Sequence, residues 1–164
     1  MYKTKLNKIQ NLIEKVKSDI SLPIISDFLD WFLLKINIHF NKETPNLKLN
    51  KWEIYFIKLW QNIWSELNKQ RPCIIYSTYF FNNWNTITVI PLKSYNWKRF
   101  NKNVNVFIKS NNTNNLKEDS IADISWIRQI SKKRLELYIW KTEEEFIFRI
   151  DKKLMKFFWI KNKQ

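Results

Sequence analysis

A chain of 164 residues without a single glycine has few ways to turn. Positive φ is nearly free of steric cost only for glycine, with Asn and Asp a distant second. Ordinary usage near 7% predicts about eleven glycines in this length, so the absence needs an explanation other than chance. The matching excess is tryptophan, with nine residues. Three of them, Trp52, Trp60 and Trp64, fall within "KWEIYFIKLWQNIWSELNKQRP" (51–72). Indoles there stand among Lys-x-Glu and Asn-Ile-x-Ser-Glu, contexts that read as turns. Two readings stay open. Several Trp letters stand for glycine, because UGA is read as Trp in some reassigned codes and as Gly in others. Alternatively all nine are genuine, and aromatic faces among basic residues suit base stacking.

The length fits one domain with an appendage. The longest apolar stretch, "LPIISDFLDWFLLKINI", is broken by Asp27, Asp30 and Lys35, short of the roughly 18 residues a membrane span needs. "MYKTKLNKIQNL" lacks the apolar core of a signal peptide, so a cytoplasmic location and no membrane partner are expected. One cysteine, Cys73, excludes an internal disulfide framework and multi-cysteine metal sites. It reads as a packed thiol rather than a nucleophile. The net charge of +14 is uneven, +3 over residues 1–50 and +11 over 51–164. A domain this basic favours a polyanion, most simply nucleic acid. An AT-rich coding sequence, which raises Lys, Asn and Ile together, is the competing source of that charge.

Leu6, Ile9, Leu12, Ile13, Val16 and Ile20 have helical spacing over 4–20. Ser21-Leu22-Pro23 interrupts, and a second helix follows through Phe28, Trp31, Phe32 and Leu34. "NKETPNLKLN" (41–50) is a linker. The expected domains are therefore a helical extension with linker, 1–50, and a second domain, 51–164. Beyond residue 50 come short runs rich in β-branched and aromatic residues: 53–59, 73–80, 86–92, 104–110, then "SIADI", "IRQI" and "LELYI". In "TEEEFIFRIDKKLMKFFWI" (142–160), Thr142 and Glu145 match a capping box. Phe146, Ile150, Leu154 and Phe157 or Phe158 would line one helix face. The fold class is α+β, mainly β: a small barrel covered by a C-terminal helix and preceded by two N-terminal helices.

Over 51–164 the sequence resembles the PemK/MazF family of toxin endoribonucleases, whose fold is a small SH3-like barrel. That family opens with R-G-(D/E)-I-x-x-x-x-L-G, a loop ending G-S-E-Q, then R-P and an apolar strand. Here the corresponding residues are Lys51-Trp52-Glu53-Ile54 to Leu59-Trp60, Trp64-Ser65-Glu66, and Arg71-Pro72. Trp52, Trp60 and Trp64 fall on family glycines, and Trp140 on a further one. Trp84 and Trp97 also lie in turn-like contexts, Trp126 and Trp159 are less clear, and Trp31 fits an amphipathic helix. A second block, "LKEDSIADISWIRQISKKRL" (116–135), resembles the family's D-S-x-x-x-x-x-Q-I-R-T-I-D-K-x-R-L.

The resemblance implies metal-independent cleavage of single-stranded RNA by attack of a ribose 2′-OH, with no cofactor. It also implies a homodimer, a cognate antitoxin that occupies the RNA groove, and a gating loop at about 60–70. Arg71 matches the catalytic arginine, whose planar fork grips phosphate bidentately; otherwise it is a surface Arg beside a strand. Glu66 matches the loop glutamate, which orients Arg71, accepts a proton, or merely solvates the loop. The family's P-L-T-S is Pro91-Leu92-Lys93-Ser94 here, so Lys93 replaces the threonine. Either Ser94 is re-aimed by a bulge, or Lys93 supplies charge to the transition state, or activity is impaired. Arg128 matches an arginine beside the active site, but the aspartate that follows in the family is Ser131. Lys132, Lys133 and Arg134 track RNA phosphates or form a solvated face, and Asn82 is a further RNA-contact candidate. No zinc spacing exists, and the lone His39 rules out a histidine-pair ribonuclease. Two rivals follow: a non-catalytic RNA-binding barrel, and a gyrase poison sharing the barrel.

Overall fold

The computed structural model describes residues 2–16, 22–40, 47–59 and 70–160. The chain divides into two compact units, Met1–Lys42 and Glu43–Gln164. The first contains helices α1 (Tyr2–Val16) and α2 (Leu22–Phe40). Pro23 sits in the first turn of α2, where its missing N–H costs no intrahelical bond. Leu6, Ile9, Leu12, Phe28 and Phe32 all remain largely exposed.

The second unit is an antiparallel sheet of seven strands closed by a helix. The strands are β1 (Glu53–Lys58), β2 (Gln70–Ile75), β3 (Thr86–Ser94), β4 (Asn105–Ile108), β5 (Ser120–Asp123), β6 (Arg128–Ser131) and β7 (Leu135–Lys141). Helix α3 (Glu144–Phe157) ends the fold. The order is β4-β5-β3-β2-β1-β7, with β6 also on β3. β3 is the pivot. Its first half pairs with β6 (Thr86↔Ser131 to Val89↔Arg128), and its last three residues pair with β5 (Leu92↔Ala122 to Ser94↔Ser120).

Side chains alternate across each strand, and here both faces are buried. Ile54, Ile74, Ile90 and Leu92 enter one apolar cluster with Val106, Ile108 and Ala122, which Phe146, Ile150 and Leu154 of α3 cover. Ile57, Cys73, Ile75, Ile87 and Val89 enter a second cluster with Ile130 and Leu135. Cys73 is fully buried, and burial pushes its thiol well up, as expected for a packed thiol. Phe157 and Phe158 are about half exposed, so neither belongs to the core face.

Two departures from the sequence expectation have local causes. The run 73–80 is strand only to Ile75, because Ser77 and Asn82 bind each other and the following strand. Ser77 Oγ accepts from Thr88 N, and Asn82 Nδ2 donates to Ser77 O and Leu49 O at 3.0 and 2.9 Å. The capping box is not formed: Glu143 is the N-cap of α3 and makes no side-chain cap. Thr142 Oγ1 is instead buried with no hydrogen-bond partner among the described residues. Asparagine does much of the turning. Asn111 and Asn114 fold the β4–β5 connection through side-chain bonds to Thr113 N and Lys109 O, and Asn115 takes φ 56°.

Two tryptophans do what glycine usually does. Trp52 has φ 75° in the turn before β1. Its N–H donates to Ile75 O and its carbonyl accepts from Thr142 N, both at 2.7 Å. Trp159 has φ 57° just past the end of α3. There Trp159 N donates to Lys156 O and Ile160 N to Met155 O, the paired bonds of a helix end that favours glycine at the left-handed position.

Candidate active site

Arg71 and Pro72 stand at the start of β2, opposite Ile57 and Phe56 of β1. On the other side Cys73 pairs with Pro91. Arg71 lies two residues before Cys73 and Lys93 two residues after Pro91. Both residues line one cavity of about 580 Å³. Ser94 and the end of the β4–β5 connection, Lys117 and Glu118, form another wall, and Tyr138 of β7 a third. The family-matched residues of two strands thus converge on one concavity.

Lys93 is not free within it. Its Nζ meets Asp123 Oδ2 at 2.7 Å, and the Asp123 side chain is only 6% exposed. Asp123 Oδ1 also accepts from Ser125 Oγ at 2.6 Å. Burial pushes the Asp123 carboxyl up, but the hydrogen bonds from Lys93 and Ser125 outweigh it and hold the group below its ordinary value. Lys93 therefore balances a buried carboxylate as well as facing the cavity. Ser94 Oγ donates to Glu118 Oε1 at 2.6 Å, and both residues are exposed. At the rim, Glu136 accepts from Gln70 and pairs with Lys58.

The remaining candidates lie elsewhere. Arg128, half-exposed in β6 opposite Val89, does not line the cavity. Arg134 turns inward, and its Nη1 donates to the carbonyls of Lys58 and Leu59 at 2.9 and 3.4 Å, holding the end of β1. Burial, then the nearby Arg128 charge, lowers the Arg134 pKa. Lys132 is 6% exposed and Lys133 half-buried in the same 3-10 turn. Asn82 is 2% exposed with its amide engaged, so it works as a bracket rather than an offered RNA contact. Glu66, and with it most of the expected gating loop, lies outside the described residues.

Asp123 and Glu118 were not singled out from the sequence. They sit in the matched block "LKEDSIADIS", yet only the β3–β5 register brings them to Lys93 and Ser94. As a set, the cavity brings the cationic side chains of Arg71, Lys93 and Lys117 together with the hydrogen-bonded Ser94–Glu118 pair. Among the described residues no group of His, Cys, Asp and Glu could hold a metal ion. No described helix is long and apolar enough to cross a membrane.

Comparison with known proteins adds the family. The model of a family described as "PemK-like, MazF-like toxin of type II toxin-antitoxin system" matches residues 50–158. Among solved structures, MazF (Form-I) from Deinococcus radiodurans superposes with a TM-score of 0.58 at 12% identity, covering 70% of this chain and 100% of its own. Mycobacterium tuberculosis toxin MazF-mt6 gives 0.53 at 15% identity, covering 66% and 98%. An endoribonuclease in complex with its cognate antitoxin, from mycobacterial species, gives 0.52 at 13% identity, covering 69% and 97%. At such identities these structures speak to the fold alone. Among curated proteins nothing matches this sequence.

Proposed function

The chain belongs to the PemK-like, MazF-like family of type II toxin–antitoxin toxins, and on that premise we propose that it is an endoribonuclease cleaving single-stranded RNA without a metal ion. The observation that carries this reading is the shared cavity of Arg71, Lys93 and Ser94. A 2′-OH attacks the adjacent phosphorus, the P–O5′ bond breaks, and the products are a cyclic phosphate and a 5′-hydroxyl. Negative charge grows on the non-bridging oxygens as the phosphorus becomes five-coordinate. A positioned guanidinium is worth most there, because it is stronger toward the transition state than toward the ground state. Arg71 takes that role. Lys93 adds positive potential at the family's threonine position while it balances Asp123. Arg128 and Lys133 are proposed to meet RNA phosphates beyond the cavity.

Residues 51–164 are proposed as the toxin barrel and 1–50 as an extension with its linker. The protein would act as a homodimer in the cytoplasm, held inactive by an antitoxin over the same groove. One of its structural neighbours is an endoribonuclease in complex with its cognate antitoxin.

The second reading, a non-catalytic RNA-binding barrel, draws on Lys93 being bound to Asp123 where a hydroxyl would stand. Incubating the purified chain with mixed-sequence RNA in the presence of a chelator, then mapping the new ends, separates the two. Cleavage is expected to give 5′-hydroxyl ends at preferred positions. RNA that is retained on the protein yet uncut at every concentration would sink the ribonuclease reading.

A further inference from the structure

The cavity contains a hydrogen-bonded pair to which the reading above assigns no step, Ser94 and Glu118. We infer that Glu118, acting through the Ser94 hydroxyl, is the final proton acceptor of the cleavage step, an inference that rests on the endoribonuclease reading. The Ser94 Oγ–H points at Glu118 Oε1 across 2.6 Å, so the oxygen's lone pairs remain available to a donor in the cavity. Both residues line the space that holds Arg71, and both are exposed enough to meet a substrate.

Their relative position is fixed by backbone bonds on either side. Ser94 pairs with Ser120 in the β3–β5 ladder, and Tyr95 N donates to Asp119 O at 2.8 Å. Ser120 Oγ donates to Glu118 O at 3.0 Å, and Asp119 Oδ1 accepts from Ser110 N at 2.8 Å. The other nearby carboxylates are occupied. Asp123 is buried against Lys93 and Ser125, and Glu136 is bound by Gln70 and Lys58. Among the described residues lining the cavity, Glu118 is the sole carboxylate, and the charged groups around the pair are Arg71, Lys93 and Lys117.

In the step itself the 2′-O–H bond breaks, and its proton passes to Ser94 Oγ as Ser94 passes its own to Glu118. The freed electron pair forms the O2′–P bond while the P–O5′ pair leaves with the 5′ oxygen. That oxygen takes a proton from solvent water, and Glu118 then returns its proton to the hydroxide left behind. Ser94 ends the cycle unchanged, and Glu118 is a positioning residue that never touches the phosphate.

The test measures kcat, KM and the pH profile of RNA cleavage for the full chain and for Glu118→Gln, Glu118→Asp and Ser94→Ala. Proton transfer by a positioned side chain is worth about 10²–10⁴-fold. Glu118→Gln is therefore expected to lower kcat about 100-fold or more, leave RNA affinity within about twofold, and flatten the acidic limb of the profile. Glu118→Asp should recover part of the rate. Retained RNA affinity shows that a variant has kept its fold. A Glu118→Gln enzyme with wild-type kcat and an unchanged profile overturns this inference and leaves the ribonuclease reading standing. A wild-type chain that cuts no RNA overturns both.

Discussion

Trp159 is the residue where local geometry and amino-acid identity disagree most plainly. It is 82% exposed and adopts φ 57° at a helix end built for glycine. A non-glycine residue in that region costs roughly 1–2 kcal/mol, and an indole in solvent recovers little by packing. Trp159→Gly should therefore raise stability by about 1 kcal/mol, read as a shift in the urea midpoint. Trp52 has the same positive φ but packs edge-on against Tyr76 at 5.3 Å. Trp84 adopts an ordinary extended backbone, with φ −82°. Among the described tryptophans positive φ falls at Trp52 and Trp159 and not at Trp140, while Trp60 and Trp64 lie outside the described residues; the codon-reassignment reading stays a proposal. Peptide mass spectrometry of the protein made in its native host tests it. Glycine is expected at both positions, and tryptophan at both would end the idea. Lys93 carries the second prediction at this scale. Removing its ammonium as Lys93→Met leaves the buried Asp123 carboxylate unbalanced, at a cost of roughly 1–3 kcal/mol at pH 7. The folded Asp123 pKa is depressed. Its contribution is therefore present above the ordinary carboxylate pKa and lost as pH falls through the lower folded value. The stability gap between wild type and Lys93→Met should narrow on acidification, and a gap constant down to pH 3 would contradict the pairing.

At the scale of elements, Thr142 separates two accounts of how α3 begins. A cap that is lost costs about 1 kcal/mol, whereas replacing an unsatisfied buried hydroxyl with a methyl group is nearly neutral or favourable. Thr142→Val should change stability by less than about 0.5 kcal/mol, and a loss near 1 kcal/mol would restore the capping box. Strands β1, β3 and β7 were legible from their β-branched and aromatic runs, and the buried face of α3 from Phe146, Ile150 and Leu154. Ser77 and Asn82 were not, because a turn built on side-chain hydrogen bonds leaves the apolar pattern of 73–80 intact. Of the candidate cavity's lining, Arg71, Lys93 and Ser94 were legible through motif spacing. Asp123 and Glu118 needed the pairing of β3 with β5, a contact across about thirty residues that no local pattern encodes. Arg134 and Lys132 show the converse: a basic run reads as a surface, while the fold turns one guanidinium onto the β1 carbonyls and buries the neighbouring lysine.

For the whole molecule, charge and the cavity make one prediction together. A chain with a net charge of +14 that grips a polyanion releases counterions on binding, with a salt slope of about −0.7 per neutralised phosphate on single strands. RNA affinity should fall steeply as salt rises, and Arg71→Ala should make that slope shallower by about one contact. The central claim is narrower, that the Arg71 guanidinium meets the scissile phosphate inside the cavity shared with Lys93 and Ser94. Its most direct measurement is the single-turnover cleavage rate of one RNA by wild type, Arg71→Lys and Arg71→Ala, with RNA affinity recorded in parallel. The account predicts that Arg71→Ala cuts at least about 100-fold more slowly while affinity falls only severalfold. Arg71→Lys should lie between, because an ammonium keeps the charge but not the fork. An Arg71→Ala protein that cleaves at the wild-type rate would contradict it.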